Sequence, residues 1–238
     1  METKTTDIMV TPNSIKVVIN NRNRLTTTKF MVEKLLSLNP DGGIIIIDNG
    51  STYEPLLNWY DEIKDKVDVR LGTNEGHLAL WATGLYKELE SYFVYTDSDI
   101  ILPDDFPMDW KEIMLNTFKN HPECKKVALA IHTDDLPDHY RYKNQVIRNE
   151  EAWWLEEVEK DLFVADTDTT FAMMKNFGDN CYRSLRLARP DLICRHHGWY
   201  LNLDELDEEE TYYLDNLGER VTTQYSKQHK EPLKYTDI

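Results

Sequence analysis

Four short apolar runs, each ending in a polar turn and separated by helix-patterned segments, constrain this fold most. Ser14 to Asn20 (SIKVVIN), Ile44 to Ile47, Val67 to Leu71 and Tyr92 to Tyr95 are rich in β-branched and aromatic residues. Runs this short and this apolar read as strands buried on both faces. Between them, Thr26 to Leu38, Glu54 to Lys64 and His77 to Leu89 carry apolar residues at helical spacing. Thr26 or Thr27 is placed to cap the first helix, with Phe30, Val32, Leu35 and Leu36 inward. The second turns Leu56, Leu57, Tyr60 and Ile63 inward, and the third Leu80, Trp81, Leu85 and Tyr86. A β-α-β-α-β-α-β order predicts an α/β fold: a mostly parallel central sheet with helices on both faces.

In such a sheet, ligands bind beyond the carboxyl ends of the strands. The polar turns should therefore meet on one edge. They are Asn20-Asn21-Arg22-Asn23-Arg24, Asp48-Asn49-Gly50-Ser51, Gly72 to Gly76 and Thr96-Asp97-Ser98-Asp99. Carboxylates at i and i+2 just past a strand suit a hard divalent cation, Mn²⁺ or Mg²⁺, which in turn holds a phosphate. Such a pair alone says little in a chain with 43 acidic and 27 basic residues. Asp166-Thr167-Asp168 is a second copy. The formal net charge of −16 argues against a nucleic-acid partner. It leaves room for an anionic small substrate, because a metal reverses the local sign.

The second half is less regular. Met108 to Phe118 reads as a helix and Lys126 to Ile131 as a strand. Thr133 to Asn149 reads as a long loop or lid, and Glu150 to Lys160 as a short helix. Asp161 to Met174 has strand composition around a polar centre, Ser184 to Leu187 is a short strand, and Pro190 to Tyr200 is a strand running into His196 and His197. Leu203 to Leu217 reads as an acidic helix. Residues 1–13 are expected to fray, and 218–238 form a polar tail. With no repeat and no Pro/Gly linker, one domain is expected. Its halves are 14–102 and 103–217.

Three cysteines without paired spacing indicate a reducing compartment. No signal peptide is evident, and no apolar run approaches the roughly 18 residues needed to cross a bilayer. A cytoplasmic protein is expected.

VVINNRNR, IIIIDNGST, GTNEGHLALWATG and VYTDSDI, in this order, resemble the successive motifs of the GT-A (Rossmann-like) fold. The closest likeness is to glycosyltransferase family 2. ADTDTTFAM and RHHGWYLN resemble segments of related bacterial and viral glycosyltransferases. The resemblance implies a metal-dependent hexosyltransferase. It would take a sugar from a nucleotide-diphosphate donor, UDP-sugar before GDP-sugar, to a hydroxyl of a glycan or glycoconjugate, as in polysaccharide biosynthesis. It implies Asp99 as direct metal ligand, with Asp97 assisting through the metal or the ribose, and His196 as a further ligand. It implies Asp48 as acceptor for uracil N3–H. Asn20, Arg22 and Arg24 are candidates to contact the base or a phosphate, and Asn74 either sits near the nucleoside or closes its turn. Trp199 and Tyr200 are available to stack on a sugar. The usual Glu-Asp pair that supplies the base of an inverting transfer has no clean equivalent. Asp168 is chosen as base, with Asp166 beside it and Glu150 and Glu151 as competitors, so retention stays open. A nucleotidyltransferase normally brings a Gly-rich phosphate loop, which NNRNRLTTTK lacks. A sugar-binding or scaffold protein without turnover is the other alternative.

Overall fold

A computed structural model describes residues 10–40 and 43–217. The expected polar tail 218–238, most of the N-terminal segment expected to fray and part of the Asn39–Gly43 turn lie outside the described residues. In chain order the elements begin with β1 (Lys16–Asn21), α1 (Thr26–Leu38), β2 (Ile44–Asp48), α2 (Glu54–Ile63), β3 (Asp68–Leu71), α3 (Ala79–Ala82), β4 (Tyr92–Asp97) and β5 (Ile100–Ile101). They continue with α4 (Trp110–Asn120), β6 (Lys126–Ile131), α5 (Lys143–Glu151), β7 (Glu157–Glu159), β8 (Leu162–Asp166), β9 (Ala172–Lys175), β10 (Arg183–Leu187), β11 (Ile193–His196) and α6 (Glu208–Asp215).

Among the described residues the strands form one sheet in the order β3-β2-β1-β4-β9-β6-β10-β8-β7. Strands β1 to β4 are parallel neighbours, as the first half predicts. The second half mixes orientations. β9 runs antiparallel between β4 and β6, β10 returns parallel to β6, and β8 and β7 close the edge antiparallel. Short β11 pairs with β6 and, antiparallel, with β5.

The parallel strands bury alternate residues on opposite faces. Val17, Ile19, Ile44, Ile46 and Val94 pack in the larger core with Met31, Leu35, Leu56, Trp110 and Met114 from α1, α2 and α4. Val18, Ile45, Ile47, Phe93 and Tyr95 face a smaller core containing Ala79, Leu80, Leu85 and Leu89. Both faces are therefore covered, which explains why the strand runs do not alternate in polarity.

Several expected elements differ. The helix expected over His77 to Leu89 is only α3 between two 3₁₀ turns, because Gly84 takes a left-handed φ of 78°. In α1, Phe30 is exposed and the inward face is Thr27, Thr28, Met31, Val32 and Leu35; no threonine side chain caps the helix. Much of the expected lid is helical, since α5 begins at Lys143. The helix expected over Glu150 to Lys160 is the end of α5, a 3₁₀ turn and edge strand β7. Asp161 to Met174 divides into β8 and β9 around its polar centre. The strand expected over Pro190 to Tyr200 is β11 between 3₁₀ turns, and the acidic helix starts only at Glu208, where Asp207 caps it by accepting the Glu210 N–H. No helix among the described residues is long and apolar enough to cross a membrane.

Candidate functional site

The order β3-β2-β1-β4 reverses chain direction across the sheet between β1 and β4. That is the point where open α/β sheets form a ligand crevice. Asn20 and Asp97 are register partners there. The Asn20 amide lies 3.5 Å from Asp97 Oδ1 and also donates to the Gly76 carbonyl at 3.3 Å. The other Asp97 oxygen accepts from the Thr169 hydroxyl, and the Asp97 N–H donates to the Thr169 carbonyl at 2.9 Å. Asp97 is thus held between β1 and the turn before β9.

The following turn places Asp99. Ser98 N–H donates to the Asn20 carbonyl at 3.1 Å, and His197 N–H to the Asp99 carbonyl at 2.8 Å. Pairing of His196 with Ile100 brings the His196 ring alongside, with Nε2 3.8 Å from Asp99 Oδ2. Trp199 stacks on that ring at 5.1 Å and 14°. The side chains of His196 and Asp99 are 27% and 16% exposed, so this corner is mostly buried but reached by solvent.

The two carboxylates titrate in opposite directions. Burial first, then Asp99 and Asp168, pushes Asp97 well above the usual carboxylate range, against the hydrogen bonds from Thr169 and Asn20. For Asp99, burial also opposes ionisation, but the positive charges of His196, Arg24 and His197 outweigh it and hold the group below its usual value. Environments that drive neighbouring carboxylates apart are common at functional sites.

The other expected residues lie around this corner in two groups. Asp48 is buried; one oxygen accepts from Ser51 N–H at 2.8 Å and the other from the Tyr60 hydroxyl at 3.0 Å. Burial and the Asp48 charge raise the Tyr60 phenol. Asn74 Oδ1 accepts from Gly76 N–H at 3.2 Å. Arg22 donates to the carbonyls of Asn49 and Gly50 at 2.6 and 2.9 Å and to that of Asn216 at 3.0 Å. In the second group, Asp168 is exposed on the rim next to Thr169. Asp166 ends β8 opposite Arg183, and its carbonyl accepts from Arg186 at 2.8 Å. Glu150 is tied to Arg186 at 2.5 Å in a buried pair, which removes it from the competitors for a base. Tyr200 donates to Asp135 rather than standing free.

The structure adds residues that the sequence pattern did not mark. Asn49 donates to Asn20 Oδ1 at 2.5 Å and to the Gly76 carbonyl at 3.0 Å, and accepts from Glu75 N–H at 3.1 Å. It joins three strand-end turns. Lys126, read only as a strand start, is buried and donates to the carbonyls of Thr167 (2.6 Å), Cys181 (3.0 Å) and Asp168. Burial lowers its pKa to about 8. Glu209 and Glu210, read only as part of an acidic helix, are buried against the β1 turn. A polar residue just past a strand was the available signal for Asn49; nothing local marked the other three.

Among the described residues no group of three His, Cys, Asp or Glu side chains stands ready to hold a metal. Asp99 and His196 are a hard carboxylate and an imidazole facing one another, a donor pair that fits Mn²⁺. Mg²⁺ is commonly held by one or two carboxylates with substrate phosphates completing its shell.

No protein family matches the sequence, and no curated protein does. Solved structures similar to the chain include GalNAc-T7 with UDP, GalNAc and Mn²⁺, at 11% identity and TM-score 0.48, over 77% of this chain and 43% of that one. Mouse xyloside xylosyltransferase 1 is similar at 9% identity and TM-score 0.35, over 69% and 67% of the two chains. CMP:2-keto-3-deoxy-manno-octonic acid synthetase with CTP is similar at 10% and 0.37, over 86% and 84%. The chain thus spans less than half the length of the first of these.

Proposed function

We propose that this chain is a metal-dependent glycosyltransferase of the GT-A type. It moves a hexose or deoxyhexose from a nucleotide-diphosphate sugar, UDP-sugar before GDP-sugar, to a hydroxyl of a glycan or glycoconjugate, with inversion. The observation that carries this reading is the Asp97-Ser98-Asp99 turn at the β1/β4 switch point, where two carboxylates of opposite tendency sit one residue apart and Asp99 faces the His196 imidazole.

In this reading Asp99 and His196 would hold Mn²⁺ or Mg²⁺, and Asp97, which Thr169 and Asn20 engage here, would be the further carboxylate beside them. The cation, when bound, neutralises and orients the departing diphosphate. Residues 14–102 form the donor half and 103–217 the acceptor half. Asp48 keeps lone pairs beyond those used by Ser51 and Tyr60, and accepts from uracil N3–H. Asn20, Arg22 and Asn74 shape the nucleoside side of the pocket. The acceptor oxygen bonds to the anomeric carbon as the bond to the diphosphate oxygen breaks. Asp168, on the rim and near enough to influence Asp97, takes the acceptor proton; Asp166 is the alternative base.

Thermal shift with UDP-, GDP- and dTDP-sugars, with and without Mn²⁺, tests the binding. One UDP-sugar should raise the melting temperature only with the metal and slowly release UDP. Asp99→Ala should lower that release by on the order of a thousand-fold without unfolding the protein. If no nucleotide sugar shifts the melting temperature with Mn²⁺ present, the reading is wrong. It is equally wrong if the protein releases pyrophosphate from a nucleoside triphosphate and a sugar acid instead.

A further inference from the structure

The last helix among the described residues, α6, is held by charge more than by core. Tyr213 and Leu214 form a separate small apolar cluster with Leu201, Leu203, Leu206 and Leu217. Tyr212 makes the link to the main core, with its ring 5.0 Å from Tyr53 and its hydroxyl donating to Thr52 at 2.9 Å. An element with few core contacts belongs to the low-stability end of a structure.

Its consecutive glutamates occupy two anion-binding features at the end of β1. The Glu209 carboxylate accepts from Thr26 N–H at 3.0 and 3.1 Å and from the Thr26 hydroxyl at 2.8 Å. It thereby fills the N-terminus of thirteen-residue α1, where unpaired N–H groups and the helix dipole favour an anion. Glu210 Oε1 accepts from Arg24 at 2.6 Å and lies 3.2 Å from His197 Nε2. The Arg24 guanidinium sits over the Tyr213 ring at 4.0 Å. The Arg24 and Glu210 side chains are only 3% and 4% exposed, yet Glu210 Oε2 has no hydrogen-bond partner among the described residues. Two carboxylates fill this double anion position, and one oxygen of Glu210 is buried there without a donor among the described residues. Arg24 and His197 are also two of the groups whose charge reaches Asp99.

We propose that α6 is a displaceable strap. Glu209 and Glu210 stand in for the anionic oxygens of a diphosphate at Arg24, His197 and the start of α1, and an arriving diphosphate releases the helix. This rests on reading the Asp99 corner as a diphosphate site. Because the ligand must replace contacts that the closed state already makes, its apparent affinity is reduced by the closed fraction.

Inorganic pyrophosphate, with and without Mg²⁺, is the probe, used on the full chain. Hydrogen exchange in residues 208–215 should accelerate several-fold at saturating pyrophosphate while β1, β2 and β4 hold steady. By calorimetry, the Glu209→Gln/Glu210→Gln variant should bind pyrophosphate about ten-fold more tightly. Glu205→Gln/Glu208→Gln makes the same charge change on exposed residues and should move affinity far less. Tyr212→Ala loosens the helix without touching either anion position. It should also tighten binding, which keeps the test open if the double variant fails to fold.

The strap is overturned if pyrophosphate binds with exchange in 208–215 unchanged or slowed. It is also overturned if the wild type and a folded strap variant both fail to bind, or if no strap variant gains over the control. Pyrophosphate carries neither base nor sugar. Release of α6 by pyrophosphate in a protein that binds none of the nucleotide sugars would sink the donor reading alone; turnover with α6 still docked would sink the strap alone.

Discussion

The two walls of the Asp97 corner are fixed by different means. On the β1–β2 side short amides do most of the tying: Asn49 bridges Asn20 and Gly76, and Asn23 Oδ1 accepts the N–H groups of Thr52 and Tyr53 at 2.7 and 3.1 Å, with Arg22 adding the Asn49 and Gly50 carbonyls from the partly buried edge. On the β8–β9 side, buried cations hold the turn over Asp166 to Thr170. Lys126 takes three carbonyls, and Arg186 takes Thr167 Oγ1 at 2.9 Å, the Asp166 carbonyl and Glu150. Parallel strands in register deliver their turns to one edge, and short amides can bridge them. The second wall is the connection between β8 and β9, which are not neighbours in the sheet, so its carbonyls lack strand partners and multidentate donors meet several at once.

This contrast is broken or upheld first at Lys126. Lys126→Met leaves one buried and two partly buried carbonyls without their donor and should cost about 3 kcal/mol in urea unfolding. The loss should fall on the second wall, so protease sensitivity should rise within Asp166 to Thr170 before the β1–β2 turns respond. A cost below about 1 kcal/mol would mean that the turn holds without its cation and that the two walls are equivalent.

The difference between the walls is also the difference between what can and cannot be read from the residues. Val17 to Ile19, Ile44 to Ile47 and Phe93 to Tyr95 announce themselves because a strand buried on both faces has no other reading, and parallel topology then sends Asn20 and Asp97 to neighbouring positions. β8 and β9 are hidden because Asp166 to Thr170 interrupts one apolar run with polar residues, and the physics that buries them sits 40 residues away in Lys126 and beyond them in Arg186. Glu209 and Glu210 look like any solvated acidic helix until α1 and Arg24 are placed opposite them. Long-range charge pairing leaves no local pattern, whereas periodic burial does.

Gly50 sharpens the first wall. Its φ of 71° is one that side chains rarely adopt, and a Cβ there would stand 3.4 Å from both the Asn74 nitrogen and the Gly72 carbonyl. Gly50→Ala should therefore cost about 1–2 kcal/mol, less than the Lys126 change. It should shift Asn49 and Asn74 together, visible as altered amide resonances on the β2 and β3 turns. An unchanged melting temperature would show that the amide network tolerates rearrangement and is not the rigid wall described.

The smallest effect is expected where the walls meet, and its value lies in its sign. Asp97 has a raised pKa in the folded chain, so the folded state holds that proton where the unfolded state has lost it. Stability therefore falls as pH rises from the ordinary carboxylate value through the raised one, and stays reduced above it. Asp99 acts oppositely, losing its contribution as pH drops through its depressed value. Asp97→Asn keeps the shape and removes the first titration. Without ligand, the variant should match the wild type in acid and melt slightly higher near neutral pH, the gain limited by weaker bonds to Thr169 and Asn20. With Mn²⁺ and a bound UDP-sugar the order should reverse, because only the wild type offers the carboxylate. A variant that is less stable than the wild type at neutral pH without ligand would show that Asp97 is built for the fold. One that is more stable there and loses ligand stabilisation would show a charge kept at the meeting point of the two walls for binding, at the expense of the free protein.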